Sequence, residues 1–171
     1  MKNIIKYFAL AVVILGFSAA SFGQSTANAP TSATIITPIS LNKTVDMNFG
    51  NIAVNASAGT VILVPAGTRT KTGGVTLPVV TGTVTAATFT VAGEGSSAYS
   101  ITLPATDLTI TRVSGSETMT VNTFTSTPSS TGTLSGGDGT ITVGATLNVA
   151  GSQVAGTYTN AAGFAVTVNY N

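Results

Sequence analysis

The chain has 171 residues, carries a formal net charge of +1 and contains no histidine and no cysteine. Those absences exclude a Ser-His or Cys-His nucleophile pair, a zinc site built from the usual ligands, and a disulfide. Only 6% of the residues are charged, and no basic stripe indicates a nucleic-acid partner. We therefore expect a protein that is not an enzyme, uses no cofactor or metal and does not bind nucleic acid.

The N-terminus has the pattern of an export signal. Lys2 and Lys6 precede an apolar run at residues 7–17, whose length matches a signal peptide and is too short for a transmembrane helix. Small residues before Gln24 predict cleavage at that point, with Ala20 as the alternative, so residues 1–23 are interpreted as a signal peptide. We expect the mature chain to be exported to the periplasm, the cell surface or the extracellular space, and not to span a membrane.

A flexible leader and the first strand follow the signal. Residues 24–32 are small and polar, which is typical of a flexible segment, and residues 33–171 are long enough for a single domain. The first strand is predicted at residues 33–41. Pro38 lacks a backbone N–H, so this strand is expected at a sheet edge or with a bulge.

The middle of the chain contains short runs with the period-two pattern of strands. A continuous apolar run at residues 60–64 predicts a central strand. Residues 84–91 predict a strand that turns Ala87, Phe89 and Val91 toward one face, because successive side chains leave opposite faces of a strand.

Two irregularities precede the long strand predicted at residues 140–149. The apolar positions change parity between Val121 and Phe124, for which a β-bulge is the simplest cause. Asp138-Gly139 predicts a hairpin turn, because glycine adopts the positive φ of a tight reversal. The apolar residues of the long strand are expected to share one face: Ile141, Val143, Ala145, Leu147 and Val149.

The last nine residues, 163–171, have a clear alternation. Phe164, Val166, Val168 and Tyr170 alternate with small or polar residues, as in a half-buried strand. Outside the signal no stretch has helical periodicity, and roughly ten short strands with turns every 8–12 residues predict an antiparallel β-sandwich or barrel. Strands of about five to eight residues are shorter than the roughly 9–11 needed to span a membrane, which favours the sandwich.

Three stretches carry a family resemblance. They are residues 48–52 (NFGNI), residues 143–149 (VGATLNV), and Gly156-Thr157-Tyr158 followed by a closing V-x-V-x-Y-N. In this order they resemble a bacterial secreted family known only as domain of unknown function 4402, over nearly all of the mature chain. That resemblance implies no activity.

The C-terminus also resembles chaperone–usher pilus subunits and spore-coat U proteins, which end in an alternating strand with a penultimate aromatic residue, here Tyr170, and an earlier glycine, here Gly156. The resemblance implies an immunoglobulin-like, Greek-key β-sandwich that lacks one strand, which a neighbour's N-terminal extension supplies by strand addition. A periplasmic chaperone would grip the same last strand. The assembly residues implied are Phe164, Val166, Val168 and Tyr170, and those of the donor or edge strand are Ile35, Ile36, Ile39 and Leu41.

Two functional hypotheses follow. The first is a non-enzymatic, secreted structural or adhesive cell-surface protein, pilus-like, whose partner is a second copy of itself or a periplasmic chaperone. The second is a monomeric carbohydrate- or surface-binding module, with Tyr99 and Tyr158 as its aromatic platforms. An enzyme would instead require Asp46, Asp107 and Asp138 to meet in a cleft.

Overall fold

The computed structural model describes residues 23–171, and the signal peptide predicted at residues 1–23 lies outside this range except for its last residue. The chain divides into the units Met1–Ile35 and Ile36–Asn171, and all the strands of the described residues lie in the second. The strands are β1 (Ser40–Val45), β2 (Asn48–Phe49), β3 (Ala53–Val54), β4 (Gly59–Leu63), β5 (Arg69–Lys71), β6 (Val75–Thr76), β7 (Val84–Thr85), β8 (Ala87–Ala92), β9 (Ala98–Thr102), β10 (Leu108–Arg112), β11 (Thr118–Thr127), β12 (Thr131–Thr133), β13 (Asp138–Val149), β14 (Tyr158–Thr159) and β15 (Thr167–Tyr170). All their pairings are antiparallel, which confirms the predicted all-β antiparallel class.

The larger sheet is organised around β13. Its strand order is β1-β8-β13-β11-β10-β14, and β4, which also pairs with β5, adds to β13. The first half of β13 pairs with β8 and the second half with β4, whereas β11 runs along the opposite edge. One strand of 12 residues therefore joins three neighbours.

The alternation predicted for β13 is confirmed. Its five odd-numbered apolar residues are at most 4% exposed. Ile141 and Val143 belong to one core cluster, and Ala145, Leu147 and Val149 belong to a second. Because one face of the strand is buried along its whole length, β13 supplies side chains to both clusters.

A second sheet, of order β12-β9-β15, covers the first of these clusters. Tyr99 and Ile101 of β9 and Val168 of β15 pack with Phe89 and Ile141 of the larger sheet. The two sheets therefore enclose a common core.

The first and last strands are shorter than predicted. Strand β1 begins at Ser40 rather than at residue 33, so the expected strand at residues 33–41 is wrong for all but its last two residues. Pro38 cannot donate to a ladder, and the strand begins only after it. At the other end only Thr167–Tyr170 of residues 163–171 forms a strand, since Phe164 lies off the ladder against rings of the larger sheet.

The predicted bulge is present, but the predicted hairpin turn is displaced. The β11–β13 register shifts between Asn122 and Thr125, which confirms the bulge. The turn before β13 is formed by Gly136 and Gly137, with φ of 64° and 95°, rather than by Asp138-Gly139. Two glycines satisfy the positive φ that both central positions of a type I′ turn require, so Asp138 is free to begin the strand.

A close approach between β9 and β12 gives the first prediction. Gly132 is the register partner of Tyr99, and a Cβ on this glycine would overlap the phenol ring, which is buried. We expect Gly132→Ala to lower the free energy of unfolding by about 1–3 kcal/mol, measured by chemical denaturation. Thr133→Ala, an exposed change on the same strand, should cost less than about 0.5 kcal/mol. Equal losses in the two variants would show that Tyr99 can move aside at little cost.

Candidate functional site

Strand β15 lies at an open edge of the smaller sheet. Among the strands of residues 23–171 it pairs only with β9, and the ladder continues to Asn171, whose N–H donates to the carbonyl of Ala98 at 3.2 Å. Bonding alternates along an antiparallel ladder, so Val168 and Tyr170 direct their backbone groups away from β9. Within residues 23–171 those groups have no backbone partner. This edge can therefore accept a further strand.

The side chains of the predicted assembly strand are gathered on one face. Val168 is 9% exposed, and Phe164, Val166 and Tyr170 are half-buried against the same core cluster. The Phe164 ring lies 4.8 Å from that of Phe124 and 6.1 Å from that of Phe89, centroid to centroid. These side chains point inward, so a partner at this edge would bind mainly through the backbone.

The other edges of the two sheets are protected. Strand β1 carries Lys43, paired with Asp46, and β5 carries Arg69 and Lys71, while β12 and β14 have only three and two residues. Charges and short length are common means of preventing edge-to-edge pairing. Strand β15 has four residues and no charge.

The predicted donor residues lie in different surroundings. Leu41 is in β1, Ile39 packs against the core cluster, and Ile36 is 49% exposed. Ile35 ends the preceding unit. Strand β1 comes close to β15 without pairing to it, and the stretch from Ile36 to Ile39 leads into β1.

A groove of about 400 Å³ opens where β9 and β15 separate. Its apolar lining includes Leu103, Leu108 and Phe164, and Asp107 supplies its one charged group. Threonine hydroxyls complete the wall, from Thr102, Thr106 and Thr167. The groove therefore combines apolar surface with hydroxyl groups and a carboxylate.

The two tyrosines expected as ligand platforms do not form an exposed aromatic surface. Tyr99 is 1% exposed, and burial raises its pKa above the ordinary value. The Tyr158 hydroxyl donates to the carbonyl of Val154 at 2.7 Å and accepts from the Gln153 amide at 2.9 Å. Phe164, which the sequence analysis assigned to the assembly strand, is the aromatic residue of the groove.

The carboxylates are dispersed over the described residues. Asp46 pairs with Lys43, Asp107 lines the groove and Asp138 begins β13. Residues 23–171 contain no group of three Asp or Glu side chains that could hold a metal ion.

The NFGN motif is held by an arginine that the sequence analysis did not single out. The Arg69 guanidinium donates to the carbonyl of Phe49, to that of Asn51 at 2.9 Å and to that of Thr81 at 3.3 Å. The Asn48 carboxamide oxygen accepts from the N–H of Gly50 at 2.8 Å. Internal hydrogen bonds thus account for this motif.

The Gly-Thr-Tyr motif is likewise packed internally. A Cβ on Gly156 would lie 2.9 Å from Cδ of Arg112, whose Nε donates to Glu117 at 2.6 Å. That hydrogen bond lowers the pKa of Glu117 and raises that of Arg112. The glycine therefore leaves space for a charged pair between β10 and β11.

The fold and the internally bonded motifs place the protein in the class of all-β antiparallel domains. The chain belongs to the family described as Domain of unknown function (DUF4402), whose model matches residues 39–170. The match spans every strand from β1 to β15 and confirms the family predicted from the motifs. No curated protein and no solved structure gives a significant match.

The strands account for all the regular structure in the described part of the chain. Over residues 23–171 no helix has both the length and the apolar character needed to cross a membrane.

The Arg69 contacts give the second prediction. Removing the guanidinium takes a hydrogen-bond donor from three carbonyls, of which that of Thr81 still accepts from the N–H of Asn51 at 2.7 Å. Arg69→Ala should therefore lower the free energy of unfolding by about 2 kcal/mol, measured by urea denaturation. Lys71→Ala, an exposed cation on the same strand, should cost less than about 0.5 kcal/mol. An equally small loss of unfolding free energy in Arg69→Ala and Lys71→Ala would show that water can replace the guanidinium without loss of stability.

Proposed function

We propose that this protein is a non-enzymatic, exported structural or adhesive protein of the cell surface that assembles by β-strand addition. The open edge of β15 is the observation that carries the proposal. An incoming strand would bond to the outward backbone groups of Val168 and Tyr170, as in other complexes formed by strand addition. Export rests on the sequence pattern of residues 1–23.

We further propose that the fold is an immunoglobulin-like β-sandwich of Greek-key type that lacks one strand. The common core between the larger sheet and β12-β9-β15 supports this assignment. So does the position of β1 and β15, which lie side by side at the edges of different sheets without pairing. The missing strand would fill the space along β15.

The donor is proposed to be the stretch before β1 of a second copy. Residues 33–39 form no strand in their own chain, although they include Ile35, Ile36 and Ile39. Apolar residues outside a ladder can supply both the side chains and the free backbone that strand addition requires. A periplasmic chaperone that offers its own strand is the alternative partner for the same edge.

A charge on the open edge tests assembly. We expect the wild-type protein to form large species in sedimentation velocity and Asn169→Lys, an exposed position of β15, to abolish them, because an edge lysine disfavours pairing. Thr109→Lys is the matched control, since Thr109 is also exposed but lies on β10, which is paired on both sides.

A chain beginning at Ser40 should be monomeric and should bind a peptide of residues 33–39.

Two results would contradict strand addition. One is a wild-type chain that remains monomeric at all concentrations, with or without the peptide. The other is an assembly that Asn169→Lys and Thr109→Lys weaken equally, because the contact would then not involve the edge of β15.

The groove beside Phe164 favours a second candidate, a monomeric carbohydrate- or surface-binding module. An aromatic ring, hydroxyl groups and a carboxylate are suited to a sugar, and the volume falls within the range of ligand pockets. On this hypothesis Asp107→Asn should weaken glycan binding about tenfold in calorimetry, while Asp138→Asn, an acid outside the groove, should leave it unchanged. Absence of glycan binding by the wild-type protein would reject this candidate.

A further inference from the structure

Three hydrogen bonds link Thr37 and Tyr170, near the two ends of the second unit, to each other and to Glu94, which follows β8. The Tyr170 hydroxyl donates to the carbonyl of Thr37 at 2.8 Å and accepts from the N–H of Glu94 at 2.6 Å. The N–H of Thr37 donates to Oε2 of Glu94 at 3.2 Å. Thr37, Glu94 and Tyr170 thus form a closed triangle of contacts, which we name the clasp.

The clasp is anchored on the end of the larger sheet. Gly93 follows β8, and its N–H donates to the carbonyl of Gly137 at 2.8 Å. A Cβ on Gly93 would overlap the Tyr170 hydroxyl, so the glycine allows the tyrosine to reach Thr37. The position of the hydroxyl is therefore set by packing as well as by hydrogen bonding.

The clasp supplies all the hydrogen bonds of the stretch that precedes β1. Within the described part of the chain, residues 36–39 form hydrogen bonds only through Thr37. Ile36 is half exposed, and the next hydrogen-bonded point is Ser40, where β1 begins. Opening the clasp would free this stretch as far as β1, apart from the packing of Ile39.

The carboxylate of Glu94 acts in the clasp as a hydrogen-bond acceptor, whereas its backbone N–H is a donor to Tyr170. Its hydrogen bonds with Thr37 lower its pKa, and in the described part of the chain it forms no ion pair. A glutamine at this position keeps an oxygen that can accept from Thr37, whereas an alanine does not. The pair of substitutions therefore separates hydrogen bonding from charge.

We propose that the clasp is an autoinhibitory contact that holds residues 36–39 on their own chain and so limits their donation to a second copy. This inference rests on the proposed strand addition and adds its regulation. The same stretch cannot be bound to Tyr170 of its own chain and extended along β15 of a neighbour. Weakening the clasp shifts the population toward the donating state.

Tyr170→Phe is the test variant, because it removes the hydroxyl and keeps the ring. In the full chain, we expect hydrogen–deuterium exchange at the Thr37 amide to become about tenfold faster. We also expect the large species in sedimentation velocity to form at a lower protein concentration than in the wild type. Glu94→Ala should act in the same direction, and Glu94→Gln should resemble the wild type. Ser100→Ala is the control, because it removes a 3.2 Å bond to the Asn169 carbonyl on the same strand pair without touching Thr37.

Hydrogen–deuterium exchange tests whether the clasp holds the stretch, and sedimentation velocity tests whether the clasp limits assembly. Unchanged exchange at Thr37 in both Tyr170→Phe and Glu94→Ala would overturn the clasp itself. Faster exchange with unchanged assembly, in a protein whose wild type assembles, would overturn its regulatory effect. If neither wild type nor variants assemble, the strand-addition function fails and the regulation with it, while the exchange rates still decide whether the clasp holds the stretch.

Discussion

The constraint on which the structure depends is the continuous burial of one face of β13. Its odd-numbered residues supply two core clusters, and its two edges bond to β8, β4 and β11. A register slip of one residue would turn Ile141, Val143 and Leu147 outward together, so the pairing of all three neighbours is fixed at once. The bulge at Asn122 lets β11 follow both halves of this strand.

Because β8, β4 and β11 use backbone groups to pair with β13, a partner protein could pair only with the strands at the sheet edges. Strand β1 is bonded to β8 and protected by Lys43, and β15 is held by β9 and by its inward side chains. The burial that stabilises β15 leaves its outer backbone groups free. The feature that completes the core is therefore also the one that can accept a partner.

Features that depend on local periodicity could be predicted from the sequence. Alternation identified the buried face of β13 and the parity change at Phe124, because both follow directly from the two-residue repeat of a strand. It could not locate Arg69 against the carbonyls of Asn51 and Thr81, since a lone arginine in a polar stretch carries no signal of its partners. Nor could it pair Tyr170 with Thr37, which is 133 residues away. Such contacts depend on the tertiary arrangement of segments that have no pattern in common.

The motifs that carry the family resemblance and the candidate interaction surfaces occupy different parts of the molecule. The NFGN contacts hold loops together through Arg69, and Gly156 leaves space for Arg112, so neither motif requires a ligand to explain it. The open edge of β15 and the groove beside Phe164 have no comparable internal explanation. The first offers backbone groups and would accept many sequences in extended form, with specificity left to side chains. The second offers a carboxylate and hydroxyls and would discriminate by chemistry, so the breadth of partners accepted would itself distinguish the two surfaces.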